Sequence, residues 1–162
     1  MAIEADSTFG EPYATAGMKG LAAARAIGLL TYRGPEGYDL SQRDENDDFS
    51  SHRACTYQQY QGEKLCRRYN AYSYYKILNA FDTHDVGYQR GGVAGQRITA
   101  ECLVVGISTD LIFTVPEMQA LHRMLPRSTY HQIDSPFGHD GFLVEHEQLN
   151  RILNPFIHST HE

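Results

Sequence analysis

The apolar positions of this chain follow two rhythms. From Met18 to Arg33, Leu21, Ala24, Ile27, Gly28 and Leu30 fall three and four residues apart, which predicts a helix. Ala22-Ala23-Ala24 within it favours helix and permits close packing. Helices are also predicted over Ala54–Gln61 and over Tyr72–Phe81, where Tyr74, Ile77, Leu78 and Phe81 share a face. Residues 1–16 are small, polar and irregular. Gly34–Ser51 carries Gly, Pro and six acidic residues, and reads as a solvated loop or a frayed helix end. His84–Arg97, with Gly87, Gly91, Gly92 and Gly95, reads as a loop.

From Ile98 the rhythm changes. Cys102–Ile107 is a nearly continuous apolar run, as in a parallel strand buried on both faces. Pro116–Leu125 reads as a helix with Met118, Leu121 and Leu125 on one side, Thr129–Ile133 as a second strand, and Phe142–Ile157 as a final helix. Strand, helix, strand, helix predicts an α/β architecture with a right-handed crossover. Two parallel strands do not make a stable sheet by themselves, and the helical stretch 17–83 has no strand before it to lean on. The chain therefore reads as the second half of a larger α/β protein. Its expected parts are an irregular segment (1–16), a helical region (17–97) and a βαβα portion (98–162).

Composition narrows the function classes. With 14 Lys and Arg against 20 Asp and Glu the net charge is −6, whereas a nucleic-acid binder needs a basic face and an anionic membrane surface attracts basic clusters. The 41% hydrophobic and 21% charged content is ordinary for a folded domain and argues against wholesale disorder. No apolar run approaches the length that spans a bilayer. The first ten residues show no basic region followed by an apolar stretch, so no secretory signal is expected. Cys55, Cys66 and Cys102 are odd in number and in no paired spacing, against a disulfide framework or a structural zinc site, and a reducing cytoplasm is the expected location.

In open α/β sheets, ligands and reacting groups gather beyond the carboxyl ends of the strands. Asp110 lies three residues past the first strand, and His139 six residues past the second, in Ser135-Pro136-Phe137-Gly138-His139-Asp140-Gly141. An Asp after one strand and a His after the next is the chain order of the last two members of an α/β-hydrolase triad. The Asp there fixes the imidazole tautomer while the His moves protons. Each residue also has a plainer reading, Asp110 as a turn former or helix cap and His139 as a surface residue. The nucleophile is missing. Gly106-Ile107-Ser108-Thr109-Asp110 lacks the last Gly of an elbow, and Ser108 is too close to Asp110. Ser73 has helical surroundings, and Cys102 reads as core. Neither glycine-rich phosphate motif is present. The eight histidines include no HExxH; His158 and His161 read as a frayed tail and His84-Asp85 as a helix cap, so no metal is expected.

Six strings then run in one order: Gly20–Gly28 with Thr31-Tyr32-Arg33; Tyr60–Leu65; Arg68–Tyr74; His84–Gly87; Val105–Asp110; and Gly138–Glu145. Together they resemble the C-terminal half of the homoserine O-acetyltransferases, a family of the α/β-hydrolase superfamily. The resemblance implies a helical lid over 17–97, followed by the last two core strands with their helices. It implies transfer of acetyl from acetyl-CoA, a co-substrate rather than a bound cofactor, to L-homoserine through a seryl acyl-enzyme, a step of methionine biosynthesis. His139 would be general base and acid, Asp110 its orienter, and Asp140 the partner of the substrate ammonium. Arg68 and Tyr74 match lid positions that meet the substrate carboxylate, a group that suits an Arg fork; read plainly, Arg68 lies on a solvated helix face beside Arg67. The Ser, the oxyanion loop and most of the sheet would belong to an N-terminal half, and full-length relatives would be homodimers. Departures from the family pattern are Tyr69-Asn70 for Phe-Asp, Tyr72 for Asn, Tyr88-Gln89 for Arg-Gly, and Thr114 for Pro. An inactive fragment, a subunit of a split enzyme and a non-catalytic binding module all remain open. So do a hydrolase, another acceptor such as serine, and succinyl-CoA as donor.

Overall fold

The structure is a computed structural model and describes residues 1–45, 52–91 and 94–159. In chain order its elements are α1 (Met18–Tyr32), α2 (Pro35–Gln42), α3 (Arg53–Cys66), α4 (Ala71–Asp82), β1 (Cys102–Ile107), α5 (Val115–Met124), β2 (Ser128–Ile133) and α6 (His146–Ser159). Short 3-10 turns cover Ala94–Arg97 and Gly138–Leu143. The chain divides into two compact units, one of Met1–Leu30 and Ser41–His84, the other of Thr31–Leu40 and Asp85–Glu162.

Both strands and the first helix lie where the apolar spacing puts them, whereas three expectations need correction. Pro35–Gln42, expected as a solvated loop or a frayed helix end, is a separate helix: Pro35 opens it with its fixed φ, and Glu36 sits in the positive first turn. The rest of the acidic stretch, from Asn46 on, lies outside the described residues, as do Gly92 and His161. The final helix begins at His146, not Phe142, because Gly138–Leu143 winds as a tighter turn. His84-Asp85 does not cap α4 through a side chain; the Asp85 carboxylate accepts the Gly87 N–H instead, at 2.7 Å.

In the first unit α1, α3 and α4 pack around Ile3, Leu21 and Ala71, with Phe9, Met18, Leu65, Tyr69, Tyr74 and Leu78 against them. Close packing at the Ala-rich stretch is realised at Gly62, where a Cβ would stand 2.9 Å from the Ala22 carbonyl. The irregular N-terminal segment is fixed rather than loose. Asp6 accepts the N–H groups of Thr8 and Gly20 at 2.9 Å each, so it caps α1 from twelve residues before the helix starts. These bonds, with one from the Thr8 hydroxyl, hold the Asp6 carboxyl down at about 2. Tyr72 stacks on Phe9 and takes the Gly10 N–H on its hydroxyl at 2.6 Å. Asn70 keeps the capping role open to an Asp there, accepting the Ser73 N–H at 2.8 Å. Cys66 donates to the Met18 carbonyl, and burial pushes its thiol up.

In the second unit β1 and β2 pair in parallel, from Cys102↔Ser128 to Ile107↔Ile133, with α5 as the connection. Val104, Ile107 and Ile133 are buried, and burying a side chain of this size contributes about 1.5–3 kcal/mol. Among the described residues the sheet has only these strands, so β1 is buried at Val104, Gly106 and Ile107 and partly open elsewhere. Thr114 starts α5: the Glu117 carboxylate accepts its N–H at 3.0 Å and its hydroxyl at 2.7 Å, which holds Glu117 below its usual range. Among the described residues no helix is long and apolar enough to cross a membrane.

Candidate active site

The carboxyl ends of β1 and β2 lie side by side because the register aligns Ile107 with Ile133. The chain leaves both strands there, and the two exits are stitched together. The Ser108 N–H donates to the Ile133 carbonyl at 3.0 Å. The Thr109 hydroxyl donates to the Ser135 carbonyl at 2.6 Å and accepts the Gly138 N–H at 2.9 Å. The Phe137 N–H donates to the Ser135 hydroxyl at 3.2 Å.

Asp110 is the buried acid of this corner, 7% exposed. Its Oδ1 accepts the N–H groups of Ile112 and Phe113, at 2.7 and 3.0 Å. That leaves Oδ2 for the imidazole, and Nδ1 of His139 stands 2.8 Å from it. A carboxylate can only accept, so this contact assigns the proton to Nδ1 and leaves Nε2 as the basic nitrogen. The ring of His139 is flanked by those of Phe113, Phe142 and Tyr32, with centroids 5.3, 5.4 and 5.9 Å away. Three aromatic walls restrict its rotation while the side chain keeps 25% exposure. Asp140, the next residue, pairs with the Nε of Arg33 at 3.1 Å.

Gly138 makes this loop possible. Its φ is +63°, in the left-handed region where a Cβ is costly. A Cβ there would lie 2.4 Å from the Gly34 nitrogen and 2.8 Å from the Arg33 carbonyl carbon. The backbone after α1 thus runs directly beneath the turn that carries His139.

Of the residues singled out in the sequence, the structure joins Asp110 to His139 and sets Asp140 beside Arg33. Arg68 and Tyr74 belong to the other unit. Both meet Tyr69 there, the Arg68 guanidinium 5.6 Å from the ring centroid and Tyr74 edge-on at 5.6 Å. Tyr74 is half-buried against the core and Arg68 is exposed. Arg33 carries no chemical signal of its own in the sequence, although Thr31-Tyr32-Arg33 is among the strings that carry the resemblance. Among the described residues, His139 makes no hydrogen bond to a serine or cysteine. Ser108 instead accepts the Ser135 N–H at 3.3 Å. The three cysteines are free thiols, and no group of three His, Cys, Asp or Glu among the described residues could hold a metal.

No protein-family profile matches the chain. Curated proteins do. A homoserine O-acetyltransferase of Cyclobacterium marinum is 44% identical over 158 residues, 96% of this chain and 45% of the relative. The chain spans less than half the length of curated relatives such as this one. Among solved structures, a homoserine O-acetyltransferase from Bacillus anthracis aligns with a TM-score of 0.74 over 94% of this chain and 46% of its own, at 17% identity. An esterase aligns with a TM-score of 0.76 over 93% of this chain and 46% of its own, at 20% identity. At those identities the likeness speaks for the fold, which is the C-terminal portion of an α/β-hydrolase.

Proposed function

Since the chain belongs to the homoserine O-acetyltransferase family over the part of it that these matches span, we propose that it supplies the acid–base pair of an acyl-transfer site whose nucleophile comes from residues outside it. The reading is carried by one observation, the bond of 2.8 Å between His139 Nδ1 and Asp110 Oδ2. That bond presents a basic Nε2 at the end of a parallel sheet, where such sites form.

In the proposed reaction a serine hydroxyl loses its proton to His139 Nε2 and attacks the thioester carbonyl of acetyl-CoA. The imidazolium returns that proton to the departing thiolate. His139 then takes the proton of the homoserine hydroxyl, which attacks the acyl-enzyme. O-acetyl-L-homoserine forms, and the proton goes back to the serine. Asp110 steadies the imidazolium through both steps without being protonated. Asp140 offers the carboxylate for the substrate ammonium. Arg68 and Tyr74 are assigned to the substrate carboxylate on the family resemblance alone, as is the lid role of 17–97. No bound cofactor enters the reaction. We place the assembled enzyme in a homodimer on the same resemblance, and the reaction in the cytoplasm on the unpaired cysteines of the sequence.

Thiol release from acetyl-CoA with homoserine present tests this. The chain alone is expected to be silent, and its mixture with an N-terminal half from the family active, with activity lost in His139→Ala. Turnover by the chain alone would overturn the assignment of the nucleophile. Release that proceeds equally without homoserine, with acetate as product, would replace the transferase by a hydrolase. Silence in a mixture shown to associate would overturn the catalytic reading altogether.

A further inference from the structure

We infer that Arg33, with the backbone that follows it, is a positioning element for His139, so that the segment Tyr32–Gly37 belongs to the acid–base apparatus without touching a reacting atom. Several separate contacts converge on this, all inside the second unit. The Tyr32 ring lies 5.9 Å from the imidazole. The Arg33 Nε lies 3.1 Å from Asp140 Oδ2, with both side chains about three-quarters buried (23% and 24% exposed). Partial burial weakens the screening that makes surface pairs worth little. Gly34 abuts the turn so closely that a Cβ would stand 2.4 Å from the Pro136 carbonyl oxygen. The Gly37 N–H donates to that same oxygen at 3.0 Å.

These contacts bracket the imidazole in sequence. Pro136 and Gly138 are held from below by backbone, Asp140 is held by charge, and His139 lies between the held residues. A ring on a turn fixed at both ends keeps one rotamer, and with it one Nδ1–H···Oδ2 bond to Asp110. Arg33 also changes the character of Asp140. The carboxylate already has a cation beside it, so an incoming ammonium would share it with the guanidinium rather than meet a bare charge.

The inference rests on reading His139 as the acid–base group, and a test without acyl transfer lets the two fail separately. Long-range proton–nitrogen correlation spectra of the full chain report which imidazole nitrogen holds the proton. The wild type is expected to show His139 as a single Nδ1–H tautomer. Arg33→Met, similar in length but uncharged, is expected to lose that signature and give an averaged one, with the exposed His131 unchanged. Arg33→Lys is expected to restore it. If Arg33→Met lowers only the melting temperature and keeps the single tautomer, the positioning role is wrong. If Arg33→Met does not fold, Asp140→Asn breaks the same pair from the other side with little change of shape, and the same two readings decide. A wild-type His139 that is already averaged would also overturn the inference.

Discussion

The Thr109 hydroxyl accepts the Gly138 N–H at 2.9 Å, so the residue before Asp110 is bonded to the residue before His139. The same hydroxyl donates to the Ser135 carbonyl at 2.6 Å. One side chain therefore makes two of the bonds that tie together the loops carrying the acid–base pair. Thr109→Val keeps the shape and removes both bonds. Leaving partly buried polar groups unsatisfied costs about 1–3 kcal/mol, so the denaturant midpoint should fall accordingly, while Thr109→Ser should recover most of the loss. A valine variant as stable as the wild type would show that water replaces the hydroxyl.

Asp110→Asn should leave the loop standing, since an Asn side-chain oxygen can still accept from Ile112 and Phe113. It should nevertheless favour the wrong imidazole tautomer. In triads of this kind the same change lowers kcat by about four orders of magnitude. That size of loss, with KM little altered, is expected in the complemented enzyme. A loss of only a fewfold would mean that Asp110 holds the fold and not the imidazole.

The Asp6 cap should be visible as a pH effect. Its folded value of about 2 lies below the ordinary 3.8, because N–H and hydroxyl donors bind the ionised form. A carboxylate depressed by folding adds stability that is complete above its unfolded value and is lost as pH falls through the folded one. Asp6→Asn should therefore melt below the wild type at pH 6, and the difference should shrink between about pH 4 and pH 2. A difference that stays constant over that range would assign the effect to shape rather than charge.

Gln89 stands at φ 56°, in the left-handed region that favours Gly. A side chain in that region costs roughly 1–2 kcal/mol, part of which Gly returns through the greater freedom of its unfolded chain. Gln89→Gly should raise stability by up to about 1 kcal/mol, read from the shift in denaturant midpoint. A drop would show that the Gln side chain has a role that its backbone strain offsets.

Much of the site was legible in the sequence because its parts are local. Asp110 and His139 each follow an apolar run by a few residues, and the order of runs puts both at one end of a parallel pair. The strand at Cys102–Ile107 was legible for the same reason, since a continuous apolar run of that length has few other uses. What the spacing missed depends on distant chain. The helix at Pro35–Gln42 has little apolar periodicity and a mostly polar surface, so its local signal is confined to Pro35 and Glu36 at its start. Arg33 gained its meaning only when the turn at Gly138 came to rest on it. Asp6 caps a helix that starts twelve residues later, a bond that no local pattern encodes.

The parallel pairing of β1 leaves a record that isotope exchange can read. The N–H groups of Cys102 and Ser108 bond to Arg127 and Ile133 on the β2 side. A period of two then turns those of Val104 and Gly106 the same way, and those of Leu103, Val105 and Ile107 toward the other edge. Among the described residues no strand pairs along that edge. In heavy water the amides of one strand should therefore fall into alternating slow and fast classes. A strand added along the edge would slow Leu103 and Val105 while leaving Val104 and Gly106 nearly unchanged. The chain thus carries, in the deuterium uptake of four consecutive residues, its own gauge of whether the rest of a sheet has arrived.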